Sequence, residues 1–554
     1  MKKKLRIGIM IDNFIIPNWS YLMLEKIVRG SDAEIVLIIK NKSEDFKKPT
    51  TFIKWIFENR KTLAFLIYRK LDRSLFKCSP DAFEQKDISN ILVVDTLEIL
   101  PNKNGSYDYV SDKDLMEIEK FKIDVIIKLG FGNLKGDIYK MTKYGIWSYK
   151  HGDSKIERGN SLEFWEVIRN RDETVIELQI SRDVFSENTL LFKSFSHTSG
   201  FSINRNLNNC YWKALSFLPS KIHELFSIGE EEFFKKVDDF NKFPLFYSNK
   251  LQKSPSNSEV LFNVLSKLLS RVYEYLVSKI YFDQWILLFN ISNNPGISNS
   301  LYKFKRIIPP KDRFWADPFI IRRNDKYYIF FEELIYSNIK AHISLIIMDD
   351  NGNYTVPVKV LERDYHLSYP FLMEDEGEIY MIPETKSNKT IELYKCTSFP
   401  LKWELESILL DQVTAVDTTI IRKDGLYWLF AAMQRNKGAS LHDELFLFSS
   451  ESLNSSKWES HPQNPIVSDV KRARPAGNLF TLNGNLYRPS QNCSKFYGYA
   501  MTINQIIELN KTNYKEIVVD TILPDWDKKL IGTHTINSVG NLTVIDALMN
   551  RRRS

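Results

Sequence analysis

Between residues 313 and 546 the sequence repeats one plan five times, and this repeat restricts the fold more than any other feature of the chain. Each unit has an apolar run, a short polar turn and a second run rich in aromatic residues. The units are Ala316 to Glu332, Leu367 to Glu384, Val416 to Ala431, Arg474 to Gln491 and Thr533 to Asp546. In the first, the polar turn falls at 323–326, which predicts a β-hairpin. The starts recur about every 50 to 60 residues, a period that marks repeat architectures. Further strand-like runs lie between them at 343–348, 391–394, 444–448 and 497–501. Units of four strands at this period predict a β-propeller of five blades. The fifth unit is cut short by the end of the sequence. The apolar run at 285–291, just ahead of the first unit, is expected to complete it and leave no open edge.

In such a ring the first strand of each blade lines the central channel, and its leading end opens on one face. The residues at those ends are Asp317, His366 with Tyr369, Asp417, Arg472 with Arg474, and His534. The returning strands bring Glu332, Glu384 and Gln491 back to the same face, with Arg488 further along its strand. An Asp before Pro or Thr also stabilises a turn, which accounts for a single acid. Polar groups at one rim from all five units point instead to a site.

The start Ala316-Asp317-Pro318-Phe319, with tyrosines and an acidic end on the paired strand, resembles the five-bladed propellers of arabinanase, levansucrase and invertase type. Those enzymes use one Asp as base or nucleophile, a second to orient the sugar or tune acidity, and a Glu as general acid. The resemblance implies the first role for Asp317 and the second for Asp417. Where the acid usually follows, this chain has Arg474-Pro475-Ala476-Gly477, so Glu384, one blade earlier, takes that part. Segments 366–370, 382–385, 474–477, 487–492 and 532–535 resemble a more particular family, over about 280–548. It is the propeller in the N-terminal region of plant glucosamine inositolphosphorylceramide transferases, which bacterial proteins join to a formyltransferase-like domain. His366, Tyr369, Arg474, Arg488, Gln491 and His534 are then the expected substrate-binding residues, the arginines for a phosphate or carboxylate.

The front half opens with strand-like runs at 5–11 and 33–39 around a helical stretch at 19–28, an α/β pattern. It carries no Gly-x-Gly-x-x-Gly, so no dinucleotide cradle is expected. Further strands are predicted at 91–94 and 123–129. They lead to Gly145, Ser148, Lys150, His151, Asp153, Arg158, Gly159 and Glu166. Over about 90–195 this order resembles the N-terminal domain of folate-dependent formyltransferases. There an Asn and a His polarise the formyl donor and an Asp assists proton transfer. Matched without gaps, the Asn falls on Ser148 and the His on Lys150. His151 is one position off, which on a strand turns it to the other face. Ser186-Glu187-Asn188 stands where the family has Asp-Thr-Gly. The resemblance implies a Rossmann-like scaffold with altered or lost formyl chemistry. Lys150, His151, Asp153, Arg158 and Glu166 are the candidate cleft residues; Lys150, His151 and Arg158 suit a phosphate, and a hydrogen-bonded loop closing the sheet is the alternative.

The expected organisation is multidomain: a formyltransferase-like α/β domain over 1–247, a linker and helix over 248–280, the all-β propeller over 281–548 and a basic tail at 549–554. The apolar stripe at 260–276 is expected to pack on a neighbouring domain. Residues 51–73 read as a basic amphipathic segment, either a helix with a solvated face or a peripheral membrane contact. No apolar run reaches the ~18 residues of a membrane span. Residues 1–12 read as a first strand, not a signal peptide. Cys78, Cys210, Cys396 and Cys493 show neither metal spacing nor a disulfide framework, which indicates a reducing compartment. A cytoplasmic location is expected, with the inner face of the membrane as its alternative. A thinly spread net charge of +7 favours an acidic or phosphate-bearing partner and not nucleic acid.

These features together predict a carbohydrate-active enzyme of cell-surface glycan or glycolipid biosynthesis, acting by glycosyl transfer on a sugar or glycolipid, with a nucleotide sugar as the donor that chemistry would need. The arginine-rich rim fits transfer better than hydrolysis. The alternatives are a sugar N-formyltransferase with a folate donor and a non-catalytic glycan-binding propeller on a degenerate formyltransferase scaffold.

Overall fold

The computed structural model describes every residue except 1, 45–51, 106, 155, 157–158, 183–187, 244–250 and 554. Arg158 of the expected cleft and residues 248–250 of the expected linker therefore lie outside the described residues. The chain divides into two units: 1–194 with 198–267 and 436–439, and 195–197 with 268–435 and 440–554.

The first unit is built on a seven-stranded sheet in the order Thr96–Ile99, Ala33–Asn41, Leu5–Ile11, Val125–Lys128, Ile146–His151, Glu173–Ser181, Thr189–His197. The first five run parallel and Glu173–Ser181 antiparallel to its neighbour. Ile7, Ile9, Met10, Val125, Ile126 and Ile127 are fully buried, as parallel strands covered on both faces require. Trp19, Met23 and Leu24 of the helix Asn18–Arg29 pack on one face, and Leu115 and Ile118 of the helix Asp112–Glu119 on the other. The segment 51–73 holds two helices, Phe52–Glu58 and Leu63–Leu75; Phe65 is buried, while Phe57, Ile67 and Leu71 are exposed.

The second unit is a series of antiparallel sheets. The first four comprise Arg313–Arg323 to Val358–Leu361, Ser368–Asp375 to Lys402–Asp411, Ala415–Lys423 to Glu459–Ser460, and Phe480–Leu482 to Tyr514–Ile522. In the fifth, Ile536–Val539 pairs with Leu542–Arg552, which pairs along its whole length with Tyr281–Ile291. The two ends of the unit thus close one sheet, leaving no inner hairpin without its outer strands. The basic residues at 551–552 belong to this last strand.

Two-residue turns set the register of every inner hairpin. Asn324-Asp325, Glu376-Gly377, Asp424-Gly425 and Asn483-Gly484 all have positive φ at both positions, the geometry that matches strand twist in a tight hairpin. At equal distance behind the first three turns the inner strand bulges, and Asp317 (φ 52°), Tyr369 (φ 45°) and Asp417 (φ 53°) are left-handed. The residue opposite Glu332 is therefore Ala316, and Asp317 is turned out of the ladder.

The helix Asn257–Ile280 corrects one expectation. Its apolar stripe is not packed away: only Val260 is buried, while Leu261, Leu265, Leu268, Leu269, Val272 and Leu276 are all exposed.

Candidate active site

The bulges aim side chains from the inner strands at one axis, where the five sheets are tied together by polar contacts. Asp317 accepts hydrogen bonds from the Tyr369 backbone N–H (3.2 Å) and the Thr535 hydroxyl (2.8 Å), joining the first sheet to the second and fifth. Its own N–H donates to Asp546 Oδ2 (3.1 Å), which also lies 2.8 Å from His534 Nδ1. His534 Nε2 is 3.3 Å from Asp317. Burial and the neighbouring acids Glu332, Asp417 and Asp546 push the Asp317 carboxyl up, against the opposing charge of His534. Burial pulls His534 down, but Asp546 and Asp317 outweigh it and its pKa rises. The raised His534 pKa describes an imidazolium held between two buried carboxyl groups. Asp317, His534 and Asp546 also offer ligand atoms within 4.8 Å of one another, a set able to take a divalent cation once His534 gives up its proton.

Asp417 stands at the centre of a second cluster. Arg474 reaches it through Nε and, at 3.2 Å, through Nη2; Gln491 donates to it at 2.7 Å. The same guanidinium lies 3.5 Å from Glu384 and donates through Nη1 to His442 Nδ1 (3.1 Å). Burial raises the Asp417 pKa, Arg474 opposes it and Glu384 adds to it. Burial and then Arg474 push His442 down to about 3, so it is neutral. Its Nδ1 accepts from Arg474, which places the ring proton on Nε2. The Arg474 guanidinium sits 4.7 Å from the Tyr497 ring, which is itself 5.5 Å from His442 and 5.3 Å from His534. Tyr497 is 41% exposed, while burial of its hydroxyl pushes its pKa up. At the edge, Lys386 pairs with Glu384 (3.2 Å) and the half-buried His366 with Glu332 (3.1 Å).

Of the predicted rim residues, Asp417, Glu384, Arg474 and Gln491 form one network and Asp317 and His534 a second, the Tyr497 ring lies against both, and His366 borders them. Tyr369 is fully buried and braces the interior: its hydroxyl accepts from the Gly477 N–H (2.8 Å) and meets Thr419 (2.8 Å). Arg488 does not reach the rim. It is 1% exposed and forms a forked pair with Glu516 at 2.8 and 3.0 Å. Strand alternation explains this, because residues three apart on one strand face opposite ways, so Gln491 and Arg488 cannot both face the axis. Tyr497, His442 and Lys386 went unpredicted. All three lie on loops joining the second and third strands of a sheet, and the strand expected at 497–501 begins only at Ala500. Asp546 was visible as the fifth counterpart of Glu332 and Glu384.

The front cleft is divided between two faces of one strand. Lys150 donates to Ser154 (2.8 Å), whose hydroxyl bonds Glu177, and Lys193 pairs with Asp153 (2.6 Å) and Glu177 (3.4 Å). His151 turns the other way, to Glu166 at 2.8 Å. Burial lowers its pKa, but Glu166 outweighs that and raises it. Lys150 and His151 therefore do not converge on one ligand.

Residues 304–538 match the family described as "Glucosamine inositolphosphorylceramide transferase 1, N-terminal". The segment takes in the first four sheets and the start of the fifth, and with them Asp317, Glu384, Asp417, Arg474 and His534. The chain is 38% identical over 210 residues to the rice (Oryza sativa subsp. japonica) protein named glucosamine inositolphosphorylceramide transferase 1, covering 37% of this chain and 28% of that one. The Arabidopsis thaliana protein of the same name is 35% identical over 210 residues, covering 37% and 27%. The chain thus spans less than a third of the length of these relatives. Among solved structures, a family 117 glycoside hydrolase from Zobellia galactanivorans aligns with 48% of this chain and 90% of its own, at 12% identity and a TM-score of 0.33.

Proposed function

We propose that the second unit binds a sugar-bearing, phosphorylated lipid or glycan at the rim and takes part in glycosyl transfer during glycolipid or surface-glycan assembly. The observation that carries this reading is the single network of Asp417, Arg474, Glu384 and His442 under the exposed Tyr497 ring. An aromatic face beside carboxylates suits a sugar ring and its hydroxyls. Lys386 and His366 stand at the edge of the same network, where a phosphate would meet cations. The relatives' name, with its inositolphosphorylceramide, supports an acceptor of that chemistry.

In this reading Glu384 and Asp417 contact the sugar, Asp317 acts beneath them, and Arg474 and Gln491 position Asp417. Buried carboxyls with raised pKa values, such as Asp317 and Asp417, are the kind that exchange protons near neutrality. The relatives give no support to formyl transfer or to a formyltransferase-like front unit.

The test is transfer of a labelled sugar from nucleotide-sugar donors to a phosphoinositol-bearing lipid, with acceptor binding measured by calorimetry. Asp417→Asn should abolish transfer, and Lys386→Ala should weaken acceptor binding. Full transfer by Asp417→Asn would remove the rim from the chemistry.

A further inference from the structure

We propose that the second half of the helix Asn257–Ile280, with the basic end of the last strand beside it, docks on the surface of an anionic lipid bilayer. The exposed apolar residues of this half are Leu268, Leu269, Val272, Tyr273, Tyr275, Leu276 and Ile280, each 50–70% exposed, and Val277 is half-buried at their edge. At about 100° per residue they occupy one arc of roughly 160°. That is wider than the narrow seam of a two-stranded coiled coil and matches a helix lying in an interface. The helix is not long and apolar enough to cross a membrane, so lying on one is the mode open to it.

Charge at the end of the helix indicates which surface it meets. Tyr281 pairs with Arg552 in the adjoining sheet, the Arg553 N–H bonds the Ile280 carbonyl, and Arg553 Nε reaches the Ser278 carbonyl. Lys311 donates to the Arg553 carbonyl, and Lys279 lies exposed on the last turn. Arg271, Lys311 and Arg551 to Arg553 thus gather beside the apolar arc, and Lys279 stands within it over the Tyr275 ring. Glu274 and Asp283 are the acids among them, while Asp312 is held by Arg313. Long cationic side chains can keep their heads among lipid phosphates while their stems lie along apolar surface.

Between helix and strand lies a cavity of about 710 Å³ lined by Tyr273, Tyr281 and Tyr336 together with Arg553, Glu274 and Asp283. Tyrosines are residues that settle at the headgroup level. The contact uses none of the rim residues and goes beyond the glycosyl-transfer reading.

The experiment is flotation of the full chain with vesicles of neutral phosphatidylcholine and of phosphatidylcholine mixed with phosphatidylglycerol, at low and high salt. The chain should float with the anionic vesicles, less so at high salt. The triple variant L268E/L269E/L276E should lower that partition on the order of tenfold or more. R552E/R553E should reduce it and remove the salt dependence. Since these side chains are exposed, an unchanged melting curve will show that the variants are folded. Failure of the chain to float with either vesicle, or flotation unchanged in the triple variant, overturns the proposal. So does light scattering that shows a dimer turned monomeric by the triple variant without vesicle binding, which would make a second copy the occupant. Loss of sugar transfer with flotation intact would bear on the rim alone.

Discussion

Removing the Arg474 guanidinium should reveal how far the buried acids at the axis depend on it. In the native protein Asp417 is 1% exposed, takes two contacts from Arg474 and one from Gln491, and has Glu384 as a neighbour through the same guanidinium. Arg474→Met keeps most of the side-chain volume and leaves Asp417 with Gln491 alone. Losing one partner of a buried ion pair costs about 3–5 kcal/mol. At roughly 2–4 °C per kcal/mol for a unit of this size, the melting point should fall by ~10 °C. Asp417→Asn is gentler, because Asn tolerates the left-handed backbone at that position and can still accept from Gln491. The double variant R474M/D417N removes both charges of the pair, and Glu384 keeps its contact with Lys386. It should melt no lower than R474M, which corresponds to a coupling of about 2 kcal/mol between the two sites. The assay is thermal unfolding followed by tryptophan fluorescence. It carries a pH signature as well. Without Arg474, burial and Glu384 outweigh His534 at the Asp417 carboxyl and hold its proton more tightly in the native state than in the unfolded one. The deficit of R474M should therefore shrink as pH falls from 8 to 5. Additive single effects, within about 0.5 kcal/mol, would refute the reasoning.

Two further outcomes follow from the same contacts. His534 and Asp317 both have folded pKa values raised above their unfolded ones, so the native state binds protons more tightly and stability is lost as pH rises. For His534 the contribution is complete below about 6.5 and gone above about 9, so the melting point should fall across that window, and less steeply in Asp546→Asn; a rise instead would contradict the ion pairing. Arg488→Met should lower stability by about 3–5 kcal/mol through the stranded Glu516 yet leave sugar binding at the rim unchanged, since the pair is internal to the fourth sheet; loss of sugar binding in a folded variant would return Arg488 to the site.

The sheets of the second unit were legible because their signals are local. Asp424-Gly425 and Asn483-Gly484 are hairpin turns by composition, and the runs on either side are apolar and aromatic. The run at 285–291 was legible as the missing outer strand because four of the five units already had theirs. The site was legible only in part, for three physical reasons. The bulge that turns out Asp317 shifts its register, and neither Asp-Pro nor Asp-Thr marks a bulge in the sequence. Arg488 lay within a polar run whose alternation decides which side chains face the axis. His442, Tyr497 and Lys386 sit on loops, whose course is fixed by packing and not by any period. The exposed stripe at 261–276 was misjudged for a different reason. An apolar face announces burial against something, and the sequence does not say whether that partner is protein or lipid.

The three left-handed residues at the axis bear on function through the one sheet that differs. In the fourth sheet the inner strand approaches the fifth so closely that a Cβ on Gly477 would collide with the Ile536 carbonyl oxygen, so only glycine fits. In the first three sheets Asp317, Tyr369 and Asp417 hold φ of 45–53° with full side chains, at a cost of order 1–3 kcal/mol each. Glycine would relieve that strain at each place, so the side chains themselves must offset it. Tyr369 does so by bracing Gly477 and Thr419 inside the unit. Asp417 does so through Arg474 and Gln491, and Asp317 through Thr535, His534 and the Tyr369 backbone. The brace needs no charge. The two acids, held in strained backbone and buried with raised pKa values, carry a charge-burial cost that the neutral brace does not. That difference between the brace and the two acids is the physical reason to look for chemistry at Asp317 and Asp417 and not at Tyr369.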